Sequence, residues 1–256
     1  MIHREDRDSV AVLHLEHGKA NALDAELVTA LADEIDAIRS VDTPSAVVIT
    51  GSGSIFSAGV DLFRFLESGE KYLDRFFQAL IHCFHRLFVF PRPLVAAVNG
   101  HAIAGGAVFA AAADYRIMSA GKGRIGMPEL GVGIPFPVMA IEILRFAAST
   151  QHLQELVYLG RSYTAEEAFR VGLIDEIAEP DALLDRALEV AANLGAMPAA
   201  RFGLTKLQLR APSLDQVERQ APRMDPEVLR GWKAPETHAA IRAYVEETLQ
   251  SRSTNR

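Results

Sequence analysis

Val95-Ala96-Ala97-Val98-Asn99-Gly100-His101-Ala102-Ile103-Ala104-Gly105-Gly106 is the stretch on which the reading of this chain turns. Leu94 to Val98, following Pro91 and Pro93, is a short apolar run that predicts a buried strand. Asn99-Gly100 is a turn signal. Gly105-Gly106 opens a second apolar run, Ala107 to Ala113, rich in the best helix former. A strand, a glycine turn and a helix start together leave backbone N–H groups without internal partners, at the positive end of the helix dipole. Glycine lets a ligand approach that backbone closely. Such a stretch suits an oxygen that carries or develops negative charge, although, taken alone, it reads first as a tightly packed Ala/Gly core helix.

Outward from it, segments predicted as strand and helix alternate. Val10 to Glu16 alternates as a strand does, and Asp24 precedes a helix marked by Leu27, Leu31, Ile35 and Ile38. Ala46 to Thr50 is a short buried strand, and Gly51-Ser52-Gly53-Ser54 lacks the Gly-Lys-Ser/Thr ending of a phosphate loop. Phe56 to Leu62 is an apolar loop carrying one glycine and one carboxylate, and Tyr72 to Phe90 an aromatic-rich helix. Asp114 to Met118 and Leu173 to Ile177 are predicted strands; Pro135 to Phe146, His152 to Leu159 and Asp181 to Leu194 are predicted helices. Thr164 and Glu167 form a capping box for a helix that ends at Gly172. Beyond Met197 strand signals stop, and Pro198, Pro212, Pro222, Pro226 and Pro235 punctuate helical segments. The expected organisation is an α/β core over residues 1–200 and a C-terminal helical region over 201–256.

The 256 residues suffice for a sizeable core, and 49% hydrophobic with 23% charged is ordinary soluble composition. The net charge of −7 with scattered basic residues argues against a nucleic-acid surface. Asn99, His101 and the glycines interrupt the apolar stretch 94–113, so it reads as core rather than a membrane span. The lone Cys83 forms no internal disulfide, and no Cys/His spacing suggests a metal site. Met1 to Asp6 is polar and shows no signal peptide, so the expected compartment is the cytoplasm.

Phe56-Ser57-Ala58-Gly59-Val60-Asp61-Leu62 and Ala97 to Gly106, about forty residues apart, together resemble the crotonase (enoyl-CoA hydratase/isomerase) superfamily. Ala113-Asp114-Tyr115-Arg116, Met127-Pro128-Glu129 and Ala165 to Asp175 are similar to further motifs of that family, in the same order. The resemblance implies a crotonase-like spiral of repeated ββα units with a C-terminal helical region that packs a homotrimer or a hexamer built as a dimer of trimers. It implies acyl-CoA thioester substrates, coenzyme A entering only as part of the substrate, and no metal or redox cofactor. It implies an oxyanion hole from the backbone N–H groups of Val60 and Gly105. Ala58, Gly59, Asp61 and Leu62 would line the CoA channel, with Lys19, Ala20 and Ala22 near its nucleotide end and Gly106 and Val108 also touching substrate.

Hydratases of the family use two glutamates. Here Val108 stands at the first position and Glu129 at the second. Adding water is easiest with two groups on the water, whereas moving a double bond needs one base. The resemblance is therefore greatest to the single-glutamate delta3-delta2-enoyl-CoA isomerases, with Glu129 as base in an apolar pocket that raises its pKa. A hydratase or other enolate-type lyase, and a CoA-thioester-binding homologue without catalysis, are the alternatives. Elsewhere the expectations are structural: Asp61 caps a loop, Asp114-Tyr115-Arg116 makes structural hydrogen bonds, Cys83 is packed, His101 is packed or lines the pocket, and His82 and His85 are structural or near the acyl channel. Phe63, Phe65, Phe76, Phe77 and Phe84 serve the core or the acyl end. Trp232 and the segment 228–249 serve subunit packing.

Overall fold

The computed structural model describes the backbone of residues 1–254 and the side chains of residues 1–247. Residues 255–256, the end of the expected C-terminal region, lie outside it, as does the side chain of Leu249.

The elements in order are β1 (Ile2–Arg7), β2 (Val10–Leu15), α1 (Ala25–Arg39), β3 (Ala46–Gly51), β4 (Ile55–Ser57), α2 (Leu62–Glu67), α3 (Glu70–Phe88), β5 (Leu94–Val98), β6 (His101–Ile103) and α4 (Gly105–Ala111). Then come β7 (Tyr115–Ser119), β8 (Ile125–Gly126), α5 (Val138–Ala147), α6 (Thr150–Tyr158), β9 (Ser162–Tyr163), α7 (Ala165–Arg170), β10 (Glu176–Ala178), α8 (Leu183–Gly195), α9 (Ala199–Lys233) and α10 (Pro235–Thr254). A larger sheet runs β1-β2-β3-β5-β7-β10, parallel from β2 onward, and a smaller one runs β4-β6-β8-β9. Each successive ββ pair, β3/β4, β5/β6 and β7/β8, gives one strand to each sheet before a helical stretch follows. That is the α/β spiral of ββα units expected from the sequence.

The inner strands β3 and β5 of the larger sheet are apolar and buried because helices cover both faces. One core cluster joins α1, α3, α4 and α5, and a smaller one packs α8 under β2, β3, β5 and β7. Asp24 caps α1 by accepting from the Leu27 N–H, and Thr164 and Glu167 form both halves of the capping box on α7.

One strand had no counterpart in the sequence reading, and three expectations are corrected. The charged residues 2–7 form β1, an edge strand antiparallel to β2, whose charges pair laterally as Arg4–Asp6 and Arg7–Glu5. The Asn99-Gly100 turn leads first into β6, so the stretch is strand, strand, helix rather than strand, turn, helix. The strand expected at Leu173 begins only at Glu176; Leu173 and Ile174 are buried beneath the end of α7 instead. Finally, Pro212, Pro222 and Pro226 do not break the C-terminal region but lie inside the single helix α9. Each proline in a helix interior costs roughly 3 kcal/mol, and tertiary anchors offset this. Lys206 and Arg210 both bind Asp114 and are buried, and Asp225 accepts from the Val138 N–H. Among the described residues no helix is long and apolar enough to cross a membrane.

Candidate active site

Four loops converge on one cavity of about 440 Å³. The first is His17 to Ala22, held by Asn21, whose side chain accepts from the His17 N–H and donates to the carbonyls of Ile55 and Phe56. The second is Ala58 to Phe63, which pairs with the first: Ala58 N–H donates to Ala20 O, Leu23 N–H to Gly59 O, and Asp61 N–H to Leu23 O. The third is Ile103-Ala104 at the start of α4, and the fourth runs from Pro128 to Ile134. Tyr244 and Val245 of α10 complete the wall.

The second and third loops touch through Gly59. Its φ of +78° is the left-handed conformation. A Cβ on it would stand 2.6 Å from both Ala104 Cβ and Ile103 O, and 3.3 Å from Gly105 N. Only glycine lets these backbones meet without displacement. Ala104 is itself strained, at φ 55° and ψ −127°, a conformation costing a non-glycine residue roughly 1–3 kcal/mol. It is held there by its N–H on Gly126 O and by its carbonyl, which accepts from Ala107 and Val108 N–H. The peptide that follows carries the Gly105 N–H. Among the described residues, neither the Gly105 N–H nor the Val60 N–H has a protein hydrogen-bond partner. Buried or half-buried backbone donors are otherwise almost always paired.

Glu129 stands at the head of a 3₁₀ turn over 129–132, after β8 and Met127-Pro128. The turn is closed by Ile134 N–H donating to Glu129 O. The side chain is on the cavity wall yet the residue is only 8% exposed, and Oε2 is buried with no partner. Burial raises its pKa from 4.5 to about 8, opposed only in part by its own backbone N–H. An unpaired carboxyl in apolar surroundings is a proton acceptor poised near neutral pH.

Of the residues singled out from the sequence, Ala20, Ala22, Ala58, Val60, Asp61, Leu62 and Glu129 all line the cavity. Gly59 lies behind them as the contact between loops. Gly105 heads α4, packed against Leu23. Gly106 and Val108 do not line the cavity. A Cβ on Gly106 would meet Ser57 at 2.6 Å, so that glycine serves the packing of α4 on β4, and Val108 is 1% exposed within the core. Asp61 caps α2 by accepting from Arg64 N–H, as expected. Asp114, Tyr115 and Arg116 make structural bonds, to Lys206 and Arg210, to Glu176, and to Asp175. Cys83 is buried with its thiol pKa pushed up by burial. Trp232 is corrected: it is 1% exposed in the chain's own core, against Phe65, Phe76 and Phe77, with its indole N–H on Pro135 O. Sequence reasoning missed Tyr244, Val245, Ile103, Ile134 and His17 as wall residues. The apolar run around Glu129 was the available signal for Ile134; nothing local marked Tyr244 or Val245.

This is the fold of the crotonase class: the crystal structure of human mitochondrial delta3-delta2-enoyl-CoA isomerase superposes with a TM-score of 0.92 over 98% of each chain at 24% identity. A family model described as Enoyl-CoA hydratase/isomerase matches residues 5–251, and the chain belongs to that family. Both named activities occur among its relatives. The chain is 32% identical over 193 residues to a crotonyl-CoA hydratase of Syntrophomonas wolfei, covering 74% of each. It is 27% identical over 222 residues to the mitochondrial enoyl-CoA delta isomerase 1 of Rattus norvegicus, covering 86% of this chain and 77% of that one.

Proposed function

We propose that this chain is an acyl-CoA double-bond isomerase converting 3-enoyl-CoA to 2-enoyl-CoA, with Glu129 as its only proton shuttle. The observation that carries the reading is the carboxyl inventory of the cavity. Among the described residues its wall holds two carboxylates; Asp61 is spent as the cap of α2, and Glu129 alone has a buried oxygen with no partner.

The C2–H bond breaks as Glu129 takes the proton, and the electron pair delocalises through the thioester carbonyl and the neighbouring double bond. The charge rests mainly on the carbonyl oxygen. The N–H groups of Val60 and Gly105, with no other bonds to make, would receive that oxygen; a donor of this kind is worth roughly a hundred- to a thousandfold in rate. Glu129 then returns the proton at C4, which leaves the double bond between C2 and C3. Atoms and charge balance within substrate and one carboxyl group, so the step calls for no metal or redox cofactor, and coenzyme A enters as the substrate's own handle. Ala58, Leu62 and the neighbouring wall would hold that handle. The exposed Leu204 and Leu207 of α9 offer the apolar surface that a homotrimer, or a hexamer of two trimers, would cover, and a cytoplasmic location accords with the reading.

A hydratase is the second reading, favoured by the 32% identity to the crotonyl-CoA hydratase. The two separate by product: purified protein is given a 3-enoyl-CoA and, separately, a 2-enoyl-CoA, followed by ultraviolet absorbance and mass. Conjugation of the first without added mass supports the isomerase. Gain of water by the second moves the assignment to hydratase, and turnover of neither, with tight thioester binding, to a non-catalytic binding homologue.

A further inference from the structure

His17 is an oriented histidine with a ring nitrogen to spare. Its Nε2 lies 2.7 Å from Oδ2 of Asp24. Asp24 is 4% exposed, and its other oxygen is fixed by the Leu27 N–H at the start of α1. An ionised carboxylate only accepts, so Nε2 is the donor of this pair. The backbone is fixed as well: the His17 N–H donates to Asn21 Oδ1 and its carbonyl accepts from the Asn21 N–H. Yet Nδ1 has no partner among the described residues, and the side chain is 26% exposed on the cavity wall. A histidine held by a buried carboxylate on one nitrogen and open on the other is arranged to meet a ligand. The charged groups about it include Asp24, Arg64 (3.6 Å from Asp24), Lys19 on the same loop, and Asp61 on the same cavity wall, whose carboxylate caps α2. Gly18 and Lys19 are exposed, so this is the solvent-facing rim, whereas Glu129 is buried.

We propose that His17, braced by Asp24 and beside Lys19, grips a phosphate of the substrate's nucleotide handle at the cavity rim. The proposal rests on the acyl-CoA reading above. The phosphate is met by the doubly protonated ring, whose two N–H groups point in opposite directions. The ring donates from Nδ1 to the phosphate while Asp24 holds the Nε2 side, a charge-assisted bond at each end. Asp24 acts through His17 and is a positioning residue.

The test is calorimetric binding of CoA, 3′-dephospho-CoA and pantetheine to wild type, His17→Gln and Asp24→Asn. The asparagine keeps a cap acceptor for the Leu27 N–H but offers His17 an amide in place of a carboxylate. His17→Gln should weaken CoA binding about tenfold, the effect of losing one charge-assisted bond, with Asp24→Asn in the same direction and pantetheine binding unchanged in both. A penalty that vanishes with 3′-dephospho-CoA assigns the contact to the 3′-phosphate; one that persists there assigns it to the diphosphate; both support the proposal. Equal weakening of all three ligands, or unchanged CoA binding in His17→Gln, overturns it. Wild type that binds pantetheine but gains nothing from the nucleotide overturns the proposal alone, and wild type that binds none of the three overturns the acyl-CoA reading with it.

Discussion

Replacing Glu129 by Gln removes a carboxyl whose proton affinity differs between the folded and unfolded chain. In the fold its pKa stands at about 8; unfolded it returns to 4.5. The buried neutral acid is tolerated, and its ionised form is disfavoured only in the folded state. The folded chain therefore holds this proton more tightly, and stability is lost as pH rises from about 4.5 through about 8. The gap between those two values, at ~1.36 kcal/mol per pH unit, comes to ~5 kcal/mol fully expressed, of which ~4 kcal/mol develops between pH 5 and pH 9. Glutamine has no proton to lose. Urea unfolding of both proteins at pH 5, 7 and 9 should show the variant gaining ~4 kcal/mol on the wild type across that range, whatever fixed cost the buried amide brings. A stability difference that stays constant with pH would mean that Glu129 titrates as a surface carboxyl, and the burial argument would be wrong.

The same carboxyl must be ionised to act as base, so kcat/KM should rise about tenfold per pH unit below about 8 and level off above it; a profile flat from pH 6 to 8 would exclude Glu129 as the base. Gly59→Ala should push apart the loops carrying Val60 and Gly105, because its methyl would stand 2.6 Å from Ala104 Cβ and Ile103 O. Turnover should fall about a hundredfold, the worth of one displaced donor, in a protein whose circular dichroism remains native; full turnover would show that the two donors are not used together. Arg210→Met strips the carbonyls of Phe88, Ala112 and Ala113 of a buried donor and leaves Asp114 with Lys206 as its remaining buried cation. Breaking such a buried network should cost roughly 3–5 kcal/mol in urea unfolding, and a loss below 1 kcal/mol would show that α9 is anchored elsewhere.

What the sequence made legible was local. Asp24, Thr164 and Glu167 announced their helix starts because caps are written in adjacent residues, and β3 and β5 announced themselves as apolar runs. Gly59 and Glu129 stood out because one glycine and one carboxylate in apolar loops are costly unless used. What stayed hidden depended on distance or on backbone shape. β6 and β8 are too short to alternate, and β1 is an edge strand whose charges disguise it. Ala104 gives no sign in its side chain that its φ is positive. Tyr244 reaches the cavity from a helix more than a hundred residues beyond Glu129. His17 looked like a loop residue until Asp24, seven positions on, was seen to hold its ring. Trp232 was misread because burial within the chain and burial between chains leave the same apolar signature.

The measurement that bears most directly on the central claim is turnover of a 3-enoyl-CoA by Glu129→Gln beside wild type, with CoA binding measured on the same samples. The single-shuttle account predicts that the variant binds CoA as wild type does and loses conversion by at least about a hundredfold, the lower end of what general acid–base catalysis contributes. A variant that still isomerises at the wild-type rate would contradict it and place the base elsewhere in the cavity.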